Sequence, residues 1–252
     1  PAFEGGRLRD SFPAMLAAGQ AAVARLVARA PGPVEIEEEA SHAAADVIFR
    51  TLFSIPIEHR IAAQVFDQFR AYQRTQPILN LAAFLPLPRW FPRAHRRRTR
   101  TAAAAIRALI ERLTADRMAE IAAGTAPDDL ATKIMTAADP VTGDRFDTAE
   151  MVDQVAIFFL AGHETSASAL AWALYLLATH PDVQDRVAAE GRAFAADPSF
   201  SNLSRLRFTR DVFRETLRLY PPVPMMVRET VRPETFRGRA VRVGAQVVLS
   251  PW

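Results

Sequence analysis

The 252 residues contain no cysteine. That excludes disulfides, thiolate nucleophiles and thiolate metal ligands within them. Lysine is nearly absent too. Lys133 is the only one, so the positive charge rests on arginine, which stays ionised under all ordinary conditions. Glycine is sparse, at ten residues, while alanine recurs throughout, a balance that favours helix. No charged-then-apolar signal segment opens the chain, and no low-complexity linker or internal repeat interrupts it. What remains is half hydrophobic, enough for a sizeable core. The net charge of +3 is compatible with an acidic partner and equally with a bias towards arginine in the source. Pro1 is not an initiator methionine, and Pro251-Trp252 follow an apolar run directly. Both ends therefore read as cuts through a fold.

Eighteen prolines punctuate a mostly helical pattern. Apolar residues recur at helical spacing from Leu8 to Ala30 and stop at Pro31-Gly32-Pro33. Val34-Glu35-Ile36 alternates and predicts a short strand. Helices are expected over Glu39–Phe53, ended by Pro56, and over His59–Thr75, closed by Pro77. Ile78 to Pro92 is apolar and broken by proline, and reads as a loop. A basic run, Arg93 with Arg96-Arg97-Arg98 and Arg100, leads into a helix reaching Ala123. Aromatic residues do not interleave with it, so a solvated helix face is expected rather than a nucleic-acid patch. Asp128–Ala137 predicts a short helix and Asp139–Asp144 a turn.

A long helix is expected from Thr148 to Thr179, about 48 Å at about 1.5 Å per residue. Asp147 and Glu150 form its capping box. His163, Glu164, Thr165 and Ser166 lie at its centre, where lipid would penalise them. We therefore expect a buried helix crossing a globular protein, not a membrane span. Pro181 opens another helix at its first turn, to about Ala195. Thr209 is expected to cap a further helix ending at Pro221-Pro222. From Met225 the pattern turns to β, with turns at Pro233, Gly238 and Gly244 and a strand through Val247-Val248-Leu249. The fold class is mainly α with a small β region.

Two constellations carry chemistry. In Phe158-Phe159-Leu160-Ala161-Gly162-His163-Glu164-Thr165-Ser166 a glycine, an acid and a hydroxyl adjoin within one helix. Glycine there costs roughly 1 kcal/mol relative to alanine. Beside Ala161 it leaves a shallow surface for a flat cofactor or a small gas molecule. Ile157, Ala161 and Thr165, with Leu160 and Glu164 nearby, share one side. A hydroxyl on that side can hold water or oxygen, and the adjacent carboxylate can pass protons. His163 points away and reads as a packed residue rather than a ligand. The second constellation is Glu215-x-x-Arg218, followed by Leu219-Tyr220-Pro221-Pro222-Val223. One turn apart, Glu215 and Arg218 can pair. Val212, Phe213, Leu217, Leu219 and Tyr220 around them make a buried pair plausible, and a buried pair needs a third partner.

In this order the motifs strongly resemble the cytochrome P450 family. Ala161-Gly162-His163-Glu164-Thr165-Ser166 looks like its oxygen-activating helix, and Glu215-x-x-Arg218-Leu-Tyr-Pro-Pro like its Glu-x-x-Arg helix. Pro1-Ala2-Phe3, Arg50-Thr51-Leu52-Phe53-Ser54, Thr179-His180-Pro181 and Phe208-Thr209-Arg210 fit as well, so essentially the whole chain is covered. The resemblance implies the central part of that fold and a domain, 1–252, that continues beyond both ends. It implies haem b, with the axial cysteine in a loop outside this segment. Ala161 and Gly162 would lie over the haem, and Arg228 would pair with a propionate. Thr165 would hydrogen-bond dioxygen or its water, and Glu164 would relay protons. Glu215 and Arg218 would be a structural ion pair. Ile157, Phe158, Leu160, Val223, Met225 and Met226 would line an apolar substrate pocket. The implied reaction inserts one oxygen atom from O2 into an apolar substrate. NAD(P)H-derived electrons would arrive through a ferredoxin- or flavodoxin-type donor or a reductase, in a soluble, cytoplasmic protein. Because cysteine is missing, a non-catalytic helical fragment or binding scaffold is the competing reading.

Overall fold

The computed structural model describes residues 5–75, 97–139 and 141–250. The expected 78–92 loop and the start of the basic run at Arg93 and Arg96 lie outside them. The chain divides into two compact units, Pro1–Glu164 and Thr165–Trp252.

The first unit holds α1 (Gly5–Arg29), α2 (Ile36–Phe53), α3 (Arg60–Thr75), α4 (Arg97–Ala123), α5 (Leu130–Thr136) and the first half of α6 (Thr148–Thr179). The strand expected at Val34-Glu35-Ile36 is not formed, because Ile36 already begins α2. Glu37, Glu38 and Glu39 occupy the first turn, where the positive end of the helix dipole favours acids. That preference outweighs a three-residue alternation. α2 ends before Pro56, at Ser54, which turns left-handed at φ 58° and donates its N–H to Phe49 O.

A buried cluster joins α2, α3, α4 and α6: Phe49 and Leu52 of α2, Val65 and Phe69 of α3, Ile110 of α4, and Val155 and Phe159 of α6. Full burial of each such side chain is worth about 1.5–3 kcal/mol. Beside them lies a buried charge cluster. Arg117 of α4 donates to Asp129, to Thr132 Oγ1 (3.0 Å) and to Phe53 O (2.8 Å). Asp129 caps α5 by accepting from Thr132 N at 3.0 Å, and also accepts from Ser54 Oγ at 2.8 Å. In the 139–144 turn, Asp139 Oδ1 accepts from the backbone N–H groups of Val141 and Thr142. The capping box then forms as expected: Glu150 N donates to Asp147 Oδ1 at 2.8 Å and Asp147 N to Glu150 Oε2 at 2.9 Å.

The second unit holds the rest of α6, α7 (Pro181–Ala195), a 3-10 turn (Ser201–Arg205), α8 (Arg207–Leu219) and four short strands. Thr209 does not cap α8, which begins two residues earlier. Its first-turn N–H groups are met from α7 instead. Glu190 accepts from Phe208 N (2.9 Å), Thr209 N (2.8 Å) and Thr209 Oγ1 (2.8 Å). A carboxylate there answers both the orphan donors and the dipole. Those backbone N–H groups hold the Glu190 carboxyl below its ordinary range. At the other end of α8, Tyr220 stacks on Trp172, with centroids 3.9 Å apart and planes 5° from parallel. β1 (Met226–Glu229) pairs antiparallel with β4 (Gln246–Leu249), with Arg228 opposite Val247. β2 (Glu234–Phe236) pairs with β3 (Arg239–Val241). Arg237 and Gly238 join that hairpin at φ 48° and 75°, a two-residue turn that matches the strand twist.

Among the described residues one helix, Leu8–Arg29, is long and apolar enough to cross a membrane. Only 6% of its apolar stretch is buried, and apolar length alone does not establish a span.

Candidate functional site

α6 runs unbroken through the acid and hydroxyl motif. It is not buried on all sides, as its apolar length led us to expect. Met151, Val152, Val155, Phe159 and His163 are buried, at the three- and four-residue steps of a single helix face. The opposite face is open: Ile157 is 55% and Leu160 40% exposed, and Ala161 and Glu164 are exposed beside them. Phe158 and Thr165 are half-buried. The sequence thus supplied an apolar length, while the neighbours decided which side of it is covered.

Gly162 meets a side chain of α2 on its own side of the helix. A Cβ built there would lie 2.5 Å from Ile48 Cδ1. Ile48 of α2 therefore fills the space that the glycine leaves, and the open surface for a flat group rests on Ala161, Ile157 and Leu160.

His163 is packed, as expected. It is 1% exposed, its Nε2 lies 2.9 Å from Ser41 Oγ, and its ring stacks on Phe159 at 5.5 Å. The edges of Phe66 and Phe69 close the cage. Burial pushes its pKa down to about 4, and a backbone hydrogen bond at Ser41 opposes the shift. In the unfolded chain the imidazole titrates near its ordinary value. Between about pH 4 and 6.5 the unfolded state therefore binds a proton that the folded state refuses, and stability falls as pH falls through that window. The loss approaches about 3 kcal/mol. Unfolding free energies from urea titrations at pH 7 and pH 4.5 should diverge by that order in the parent and by much less in His163→Phe. Equal divergence would show that His163 is not the group responsible.

Glu215 and Arg218 form a two-point pair at 2.8 and 2.6 Å. It is exposed, not buried: the side chains are 54% and 67% accessible. α8 turns only Thr216 fully inward. The Arg218 hydrogen bond holds the Glu215 carboxyl below its ordinary range, and Glu215 raises Arg218 in turn. Arg228, on β1, is exposed and donates from Nη1 to Val227 O at 2.9 Å. Val223, Met225 and Met226 are exposed apolar side chains of the same unit.

Ile157, Phe158, Leu160, Ala161, Gly162 and Glu164 thus belong to the first unit, and Thr165, Glu215, Arg218, Val223, Met225, Met226 and Arg228 to the second. Ser41 and Ile48 were missed by the sequence reading. They lie more than a hundred residues before the motif, and no local signal marks them.

The exposed Ile157–Leu160–Ala161 strip fits the face of a flat apolar cofactor such as haem. The chain has no cysteine, so a thiolate ligand does not come from these residues. Among the described residues no group of three His, Asp or Glu is placed to hold a metal ion.

Residues 2–252 match the family model described as Cytochrome P450. The chain is 35% identical over 215 residues to a cyclooctat-9-en-7-ol 5-monooxygenase of Streptomyces melanosporofaciens, covering 81% of this chain and 44% of that protein. It is 32% identical over 231 residues to a cyclooctatin synthase of the same organism, covering 87% of this chain and 48% of that protein. The chain thus spans about half the length of these relatives. The crystal structure of the cytochrome P450DA heme domain superposes with a TM-score of 0.80 at 24% identity, over 99% of this chain and 54% of that one, which bears on the fold alone.

Proposed function

Because the chain belongs to the cytochrome P450 family, we propose that the protein is a haem-dependent monooxygenase that places one oxygen atom of O2 in an apolar organic substrate. Electrons derive from NAD(P)H and arrive through a ferredoxin- or flavodoxin-type donor or a reductase. The protein works in the cytoplasm, in soluble form. The observation that carries this reading is the uncovered apolar strip Ile157–Leu160–Ala161 with the Glu164 carboxylate beside it on one continuous helix.

Haem b, when bound through a cysteine outside these 252 residues, supplies the activation of oxygen and the acceptance of electrons. The chain's own residues do the rest. Ala161 offers a surface without side-chain bulk against the ring. Gly162 continues that surface through its backbone, its missing side chain being replaced by Ile48. Arg228 offers a planar fork suited to a carboxylate such as a propionate. The Glu164 carboxylate, in contact with solvent, takes up protons at Oε and passes them inward. The Thr165 hydroxyl would hydrogen-bond dioxygen or the water that receives them. Ile157, Phe158, Leu160, Val223, Met225 and Met226 exclude water and favour an apolar substrate. The Glu215–Arg218 pair is structural and acts on α8. One relative's name specifies cyclooctat-9-en-7-ol, a precedent for such a substrate.

The full-length protein, reduced and exposed to carbon monoxide, should show the red-shifted Soret band of thiolate-ligated haem. A band typical of histidine ligation would defeat the proposal. Failure to take up haem at all would favour a non-catalytic helical scaffold.

A further inference from the structure

The back of α6 is fastened to α2 at three positions that share one face, Phe159, Gly162 and His163. Phe159 lies 5.0 Å from Phe49, centroid to centroid. Ile48 fills the place of the side chain that Gly162 lacks, so closely that any Cβ would stand 2.5 Å from its Cδ1. Ser41 Oγ and His163 Nε2 are 2.9 Å apart and buried. The three contacts differ in kind. Tilted rings tolerate sliding, whereas the tip of Ile48 sits in the glycine notch and a buried hydrogen bond fixes the register of the two helices.

Phenylalanine would fill the cage of Phe66, Phe69 and Phe159 without requiring an imidazole to leave water. A histidine there is costly unless its polar contact is used. Burial keeps it neutral down to about pH 4, so ordinary working pH does not disturb that contact. Glu164 follows directly, about 100° further round the helix, on the open side. A small rotation of α6 about its axis would swing this carboxylate away from its working direction.

We infer that Ser41, Ile48 and His163 are positioning residues: they lock the rear of α6 to α2 and so set the direction in which Glu164 presents its carboxylate. What Glu164 does rests on the function proposed above; the lock itself does not.

Two measurements on the haem-loaded protein separate these layers: amide hydrogen exchange along α6, and product formed per NAD(P)H with hydrogen peroxide released. In His163→Phe, amides 160–165 should exchange about 2- to 10-fold faster, as expected for one lost hydrogen bond. Amides near Val152 should hardly change. Product per NAD(P)H should fall by a similar factor while peroxide rises. Gly162→Ala should reproduce both effects without touching the polar pair. Adding Ile48→Ala should return exchange and yield towards the parent, a rescue that general damage would not allow. Unchanged exchange at 160–165 in folded His163→Phe and Gly162→Ala overturns the lock. Faster exchange with unchanged product yield overturns its link to Glu164. Faster exchange in a protein whose parent lacks the thiolate spectrum leaves the lock standing and removes the monooxygenase reading instead.

Discussion

Arg117→Met should destabilise the first unit by about 3–5 kcal/mol, the range for breaking a buried pair by removing one partner. Arg117 is 5% exposed. It serves three elements at once, donating to Asp129 and Thr132 of the α5 start and to the terminal carbonyl of α2 at Phe53. Methionine fills much of the volume but leaves the Asp129 charge buried with only Thr132 N and Ser54 Oγ to answer it. Against a total stability of about 5–15 kcal/mol for a natural domain, that loss is large. Arg117→Lys should recover only part of it, because a point charge cannot make the fork's separate contacts. Combining Arg117→Met with Asp129→Asn should cost less than the sum of the single changes, since Asn keeps the helix cap and removes the stranded charge. Urea unfolding followed by circular dichroism gives each value. A loss below about 1 kcal/mol in Arg117→Met would mean that the pair is solvated and contributes as little as a surface ion pair.

Glu164→Gln and Thr165→Ala should both spare haem uptake and fail in different ways. In Glu164→Gln the amide keeps the shape of the side chain but cannot carry a proton. Product formation should fall by about 100-fold or more, at the low end of what a positioned proton donor contributes. Thr165→Ala removes the hydroxyl and leaves the acid in place. The hydrogen bond that the hydroxyl makes to a small ligand is worth about 0.5–1.5 kcal/mol, so product per NAD(P)H should fall about 2- to 10-fold. The missing reducing equivalents should appear as hydrogen peroxide, while NAD(P)H consumption changes little. Stoichiometry of NAD(P)H, product and peroxide distinguishes the two. If Thr165→Ala keeps the parent's product yield, the hydroxyl has no part in directing oxygen. If Glu164→Gln turns over normally, protons reach the site by another route.

The sequence by itself determined the helices. The 3.6-residue apolar period from Thr148 to Thr179, the Asp147–Glu150 box and Pro181 at a first turn each depend on neighbours within a few residues, and each appears where expected. The motif on α6 and the Glu215–Arg218 pair were legible for the same reason: helical spacing makes i+3 and i+4 partners predictable. Contacts from afar were not legible. Glu190, nineteen residues before Thr209, caps α8 in its place. The acids that begin α2 overrode a three-residue β pattern. Only the tertiary structure decided which side of α6 faces α2, that the notch at Gly162 belongs to Ile48, and that Ser41 meets His163 across 122 positions of chain. It decided as well that Glu215 and Arg218 face water. Period and propensity fix which residues share a face, but what covers that face is a sum over residues that the local sequence does not contain.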